Sequence, residues 1–188
     1  MEPPSAYAGQ TACNLARHLA HVGRFEEVRA LYESGRSIFP TGEGTTGIGG
    51  WNCMLGFVEA LYLSGFRDET AALLPLVEKA LTLGPEWLAF DGRLIRTRAG
   101  LASAAAGRWD DAERWFGEAL DHALRTANEV EVADVRRLHA RVLLDRGRSE
   151  DSARAAQLLG QACETYRSFG MPGYVVEVEE LSRRVPSA

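Results

Sequence analysis

Lysine, strand-like alternation and paired cysteines are scarce or absent in this 188-residue chain. Lys79 is the sole lysine, so arginine carries almost all of the positive charge. The net charge of −5 lacks the basic excess that is usual in nucleic-acid-binding domains, and nucleic acid is therefore not expected as a partner. Cys13, Cys53 and Cys163 are widely spaced and form no CxxC motif, which predicts reduced thiols rather than a disulfide framework.

The chain also lacks the segments that direct a protein to or through a membrane. Its first residues have neither the basic region nor the apolar stretch of a secretory signal. No apolar run approaches the roughly 20 residues that cross a bilayer. Together with reduced cysteines, these absences predict a cytoplasmic protein that makes no membrane contact.

No catalytic signature is present. Gly42, Gly44 and Gly47 match the dinucleotide-binding fingerprint by letter, but a helix rather than a strand is predicted before them. His18 and His21 are three residues apart, yet no third ligand has a matching spacing. We therefore predict that the chain is not an enzyme and has no metal site and no cofactor.

What the chain does have is helical periodicity. Apolar residues recur at spacings of three and four almost throughout. The interruptions are Gly23, Pro40, Gly65, Pro85, Gly107, Gly147 and Gly170. The predicted helix pairs occupy residues 6–39, 49–83, 89–126 and 129–169, with a closing helix at 171–185. The second helix of the second pair is predicted over 67–83, and the first helix of the fourth pair over 129–146. Residues 41–50 are predicted to form a glycine-rich loop between the first two pairs.

The third pair carries the clearest motif. Its defining residues are Gly100, Gly107, Trp109, Ala112, Phe116 and Ala119. The last three lie at i, i+4 and i+7, which places them on one face of a helix. This pattern resembles the tetratricopeptide repeat (TPR), a helix–turn–helix unit of about 34 residues.

The resemblance implies an all-α fold, namely a right-handed superhelix of antiparallel helix pairs with about nine helices. It implies one TPR-like domain over residues 1–188. The turns and the terminal Gly170-Met171-Pro172 are also similar to the helical-repeat tails of bacterial signalling ATPases, which include LuxR-type regulators and cyclase-linked proteins. That likeness implies a regulatory module.

In such arrays the first helix of each pair lines a concave face. The repeat register places the following candidate ligand-binding residues there: Gln10, Asn14, Arg17, His21, Asn52, Glu59, Tyr62, Arg98, Arg137 and Arg141. The four arginines suit an acidic peptide or a terminal carboxylate. The leading prediction is a non-enzymatic scaffold that binds a protein or peptide partner in its groove.

Two alternatives remain open. A small-molecule or effector sensor would have an enclosed pocket lined by Trp51, Tyr62 and the glycine-rich loop. A self-association module would form a homodimer through a two-fold contact over residues 171–185. An open groove that exposes Arg17 and Arg137 would favour peptide binding.

Overall fold

The computed structural model describes residues 9–40, 48–83 and 94–186. In these ranges all regular secondary structure is helical, which confirms the predicted all-helical fold for the described residues. The chain divides into two compact units, Met1–Ala112 (unit 1) and Glu113–Ala188 (unit 2). The sequence predicts one domain over residues 1–188, whereas the boundary between these units falls inside a helix.

The helices of unit 1 are α1 (Gln10–His21), α2 (Phe25–Gly35), α3 (Ile48–Leu63), α4 (Arg67–Ala72), α5 (Leu74–Thr82) and α6 (Ile95–Ala105), with a short 3-10 turn at Arg36–Ile38. Helix α7 (Trp109–Arg125) begins in unit 1 and continues into unit 2. The remaining helices of unit 2 are α8 (Glu129–Arg146), α9 (Asp151–Ser168) and α10 (Pro172–Ser182).

Local sequence signals set the ends of α8. At its start, the Asn128 side chain accepts a hydrogen bond from the backbone N–H of Glu131 at 3.2 Å, as an N-cap residue does. At its end, Gly147 has a φ of 70° and donates its N–H to the Leu143 carbonyl at 3.1 Å. Glycine suits this left-handed position because it has no Cβ. The predicted bounds of 129–146 therefore agree with the structure.

The second predicted pair differs from the structure in its second helix. One helix is predicted over residues 67–83, but the structure has α4 and α5 with a break at Leu73. Pro75 lies in the first turn of α5. Proline has no N–H to donate to the carbonyl four residues earlier, and its ring clashes with that carbonyl. A proline at this place therefore ends one helix and begins the next.

The last residues of the predicted glycine-rich segment belong to a helix. Helix α3 begins at Ile48, so Gly49 and Gly50 are helical rather than part of a loop at 41–50. Residues 41–47, which include the fingerprint glycines, lie outside the described residues. So do residues 6–8 and 89–93 of the predicted first and third pairs.

Helix α3 forms the centre of unit 1. Every residue from Trp51 to Leu63 is buried, because α1, α2, α4 and α6 all pack against or near this helix. A helix that is apolar on all sides is expected in such a central position. Tyr32, Phe39 and Phe57 form an aromatic cluster beside it, with ring centroids 5.8–5.9 Å apart.

Unit 2 has its own core, built by α8, α9 and α10. Its buried residues are mostly small or aliphatic: Ala133, Ala140, Leu143, Ala155, Leu159, Ala162, Cys163, Tyr166, Val178 and Leu181. Small side chains allow the helices to approach closely. In α7, Phe116 is buried and stacks on the His139 ring with centroids 4.7 Å apart.

Candidate functional site

Three of the predicted binding residues meet in unit 1 and form an ion cluster. Arg98 of α6 contacts Glu59 Oε2 of α3 through its Nη2 atom. Arg17 of α1 places its Nη1 atom 3.9 Å from the same carboxylate oxygen. The Glu59 and Arg98 side chains are 7% and 4% exposed, and Arg17 is 28% exposed. We call Arg17, Glu59 and Arg98 the Glu59 cluster.

Polar side chains of α1 extend this cluster towards solvent. Arg17 Nη2 donates a hydrogen bond to Asn14 Oδ1 at 2.7 Å, and Gln10 Nε2 donates to the same oxygen at 3.4 Å. Asn14 is exposed, while Gln10 and Arg17 are half-buried. The predicted register therefore brings five of the ten candidate residues into one connected row.

A sixth candidate, Asn52, is buried on the same face of α3 as Glu59. The two residues are seven apart, so their side chains point in nearly the same direction. Within the described part of the chain, Asn52 Oδ1 has no hydrogen-bond partner. A buried acceptor without a donor costs free energy, and such an atom is accordingly a candidate contact for a ligand.

The other candidates in unit 1 have different surroundings. Tyr62 is buried in the core, with the Arg67 guanidinium 3.5 Å from its ring centroid. His21 is exposed at the end of α1. Neither residue forms part of the connected row described above.

Arg137 departs most from the sequence-based expectation. An open groove that favours peptide binding would expose it, but it is 1% exposed. Its Nη1 atom lies 2.5 Å from Glu177 Oε1 of α10, and its Nε atom donates to Tyr166 Oη at 3.2 Å. Tyr166 Oη in turn donates to Asp134 Oδ1 at 2.6 Å. Arg137 therefore joins three helices of unit 2 and is not presented to a ligand.

The surroundings of Arg137 also affect Tyr166. Burial of the phenol raises the pKa of Tyr166, because the charged phenolate loses its hydration. The Tyr166 ring stacks on Tyr174 with centroids 4.9 Å apart. Arg141, the last candidate, is half-buried on α8.

A second ion cluster in unit 2 was not recognised from the sequence. Glu113 Oε2 lies 3.0 Å from His139 Nε2 and 2.9 Å from Arg154 Nη1, and Glu113 Oε1 lies 3.1 Å from Arg146 Nη2. The hydrogen bond from His139, with the charges of His139, Arg154 and Arg146, lowers the pKa of Glu113 to about 2. Its members come from α7, α8 and α9, so no local spacing identifies it.

Unit 2 also contains a cavity of about 730 Å³ between the end of α8, the start of α9 and the residues after α10. Leu143, Leu144 and Val185 contribute apolar surface, and Arg148 and Arg184 add positive charge to the lining. Arg184 pairs with Asp145 at 2.7 Å. This volume is within the usual range for small-molecule sites.

Residues 9–40, 48–83 and 94–186 contain no group of three or more His, Cys, Asp or Glu side chains placed to hold a metal ion. Among the helices in those ranges, none is long and apolar enough to cross a membrane.

Comparison with protein-family models, with curated proteins and with solved structures gives no match to this chain. The resemblance to TPR proteins therefore stays a prediction.

Proposed function

We propose that the chain is a non-enzymatic binding module that holds an acidic segment of a partner protein against α1, α3 and α6 of unit 1. The observation that carries the proposal is the Glu59 cluster, in which two guanidinium groups share one carboxylate. Arg17 retains partial exposure, so a second carboxylate has a route to its guanidinium. Charge-assisted hydrogen bonds of this kind are among the stronger polar contacts in proteins.

Asn52 supports a peptide rather than a simple anion. Asn52 and Glu59 are separated by about 10.5 Å along α3, because seven residues of an α-helix span this distance. About three residues of an extended peptide cover the same distance. A bound segment thus offers a carboxylate to Arg17 and a backbone N–H to Asn52 Oδ1, which is buried and accepts this bond after the Asn52 side chain turns outward.

The TPR-like superhelix belongs to the same proposal. Its support is local: Gly107 and Gly147 both have a left-handed φ in turns between helices. Ala112, Phe116 and Ala119, the residues of the predicted packing face, are all buried. In a superhelix of this type, α1, α3 and α6 are the first helices of their pairs and line the concave face.

Peptide binding can be tested by fluorescence anisotropy with labelled five-residue peptides that carry either Glu or Gln at the central position. We expect the Glu peptide to bind more tightly, and increasing salt to weaken its binding. We expect Arg17→Gln to weaken the Glu peptide by about tenfold or more, since a hydrogen bond to a charged group contributes about 1.5–3 kcal/mol. Asn52→Leu should weaken both peptides equally.

Arg24→Gln is the matched control. Arg24 belongs to unit 1 as well, but its side chain is exposed and pairs with Glu27. Binding should be unchanged in this variant. Equal affinity for the Glu and Gln peptides, or equal losses for Arg17→Gln and Arg24→Gln, would contradict the proposal.

The cavity of unit 2 supports a second candidate function, the binding of an apolar carboxylic acid. Its aliphatic lining suits a hydrocarbon tail, and Arg148 and Arg184 suit the carboxylate. Calorimetric titration with medium-chain fatty acids tests this function. Arg148→Gln should weaken fatty-acid binding. Arg114→Gln, the control, changes an exposed residue of α7 and should leave binding unchanged. Undetectable binding to the wild-type protein would exclude this function.

A further inference from the structure

The two thiols of unit 1 meet between α1 and α3, although the sequence places them far apart. Cys13 and Cys53 are both fully buried, and both are reduced in the structure. Their side chains lie close enough to interact, and each packs against a glycine that is near the other cysteine in the sequence. The third cysteine, Cys163, lies in the core of unit 2.

Two glycines allow this contact. Gly56 lies one turn after Cys53 on α3, and a Cβ at Gly56 would be 2.6 Å from the Cβ of Cys13. A Cβ at Gly9, just before α1, would be 2.6 Å from Cys53 Sγ. Real Cβ atoms do not approach other atoms so closely, so a larger residue at either position would push the two helices apart. The glycines therefore allow α1 and α3 to cross closely at the place where Cys13 and Cys53 lie.

The surroundings distinguish the two thiols. Cys13 lies in the first turn of α1, where the helix dipole favours a thiolate. Its thiol donates to the Gln10 carbonyl oxygen at 3.3 Å, and Gln10 Nε2 donates to its sulfur at 3.9 Å. Arg17 follows one turn later on the same helix. The hydrogen bond to Cys13 and burial raise the pKa of Cys53, because both disfavour its thiolate in the closed structure. Cys13 is the first thiol to react because it lies near the start of α1, whereas Cys53 lies on the central helix α3.

We propose that Cys13 and Cys53 are a redox modification site that closes to an intramolecular disulfide and locks α1 to α3. The oxidant is a small disulfide such as oxidised glutathione. The Cys13 thiolate attacks one sulfur of the oxidant, and one glutathione thiolate leaves. The Cys53 thiol then loses its proton, its thiolate attacks Cys13 Sγ in the mixed disulfide, and a second glutathione leaves. Both thiol protons end on glutathione, which is reduced by two electrons.

The position of Cys13 gives the oxidant a route to the buried pair. Helix ends open locally at far lower free energy than the core of a protein. Cys13 is within one turn of the start of α1, and its cover includes the half-buried Gln10 side chain. Opening of this turn alone exposes the Cys13 sulfur, while Cys53 stays on the central helix.

The experiment equilibrates the full chain in glutathione buffers of increasing oxidised fraction. After acid quenching and unfolding, the remaining thiols are alkylated and counted by mass spectrometry. We expect the number of alkylated thiols to fall from three to one and a Cys13–Cys53 link to appear in the peptide map. Dithiothreitol should restore all three thiols.

Three variants distinguish this pair from other thiol chemistry. Cys163→Ser should still form the link. Cys53→Ser should stop at a mixed disulfide of glutathione with Cys13, and Cys13→Ser should leave Cys53 reduced. Circular dichroism verifies that each variant is folded. If Cys53→Ser does not fold, Cys53→Ala replaces it. Three alkylated thiols at equilibrium in the most oxidising buffer, a link that involves Cys163, or a link between two chains would overturn the proposal.

Discussion

Removal of the Glu59 carboxylate should destabilise unit 1 far more than removal of an exposed carboxylate. In Glu59→Met, Arg98 stays 4% exposed and Arg17 stays nearby, but the anion that both of them contact is gone. A buried ion pair broken on one side typically costs about 3–5 kcal/mol, because the remaining charge is dehydrated and uncompensated. We expect Glu59→Met to fall in this range.

The structure also predicts an asymmetry within the pair. Arg98→Met leaves Glu59 with Arg17, whose Nη1 atom is already 3.9 Å from the carboxylate, so this change should cost less than Glu59→Met. In the double variant no carboxylate is left buried and Arg17 is able to reach water. Its cost should therefore be well below the sum of the two single costs, by about 1–3 kcal/mol of coupling.

Urea unfolding followed by helical circular dichroism provides these free energies. Glu27→Gln is the control in the same unit, because Glu27 pairs with Arg24 at the surface. The Glu27 side chain is 53% exposed and the Arg24 side chain is 58% exposed. An exposed pair of this kind contributes at most about 1 kcal/mol. A cost for Glu59→Met no larger than that of Glu27→Gln, or additive single costs, would refute the buried-cluster argument.

Three further changes test other parts of the structure. In the wild-type protein, the pKa of Glu113 is lowered from its ordinary value of 4.5 to about 2. This carboxylate therefore stabilises the fold above pH 4.5, and the stabilisation is lost as the pH falls towards about 2. The free energy of unfolding of Glu113→Gln should accordingly depend less on pH in this window. Ala127→Gly should stabilise unit 2 by about 1 kcal/mol in urea unfolding, because Ala127 has a left-handed φ of 52°. Gly56→Ala should destabilise unit 1 by about 1–3 kcal/mol in the same assay, because the new methyl group overlaps the Cys13 side chain.

Each of these three has a result that contradicts it. Parallel pH profiles for the wild type and Glu113→Gln would mean that the low pKa does not contribute to folding. A loss of stability in Ala127→Gly would mean that flexibility of the unfolded chain outweighs backbone strain. Unchanged stability in Gly56→Ala would mean that α1 moves away from α3 without cost.

Some of the candidate site was accessible from the sequence. The helical repeat of 3.6 residues places Arg17 and Asn14 on one side of α1, and Asn52 and Glu59 on one side of α3. The contact of Arg17 and Arg98 with one carboxylate of Glu59 followed only from the packing of α1, α3 and α6.

The sequence by itself determined the features that depend on neighbouring residues. Asn128 and Gly147 delimit α8 through hydrogen bonds that close within four residues, so the 129–146 prediction succeeded. Even Pro75, whose effect was not anticipated, breaks its helix by a local cause.

Only the tertiary structure decided which faces are buried and which distant side chains meet. Periodicity gives the direction in which Arg137 points, but not that α10 supplies Glu177 to meet it there. Spacing likewise gives no sign that Cys13 and Cys53 touch, since that contact depends on the close crossing of α1 and α3 that Gly56 allows. Contacts between distant segments depend on how whole helices pack, and no local window of sequence contains that information.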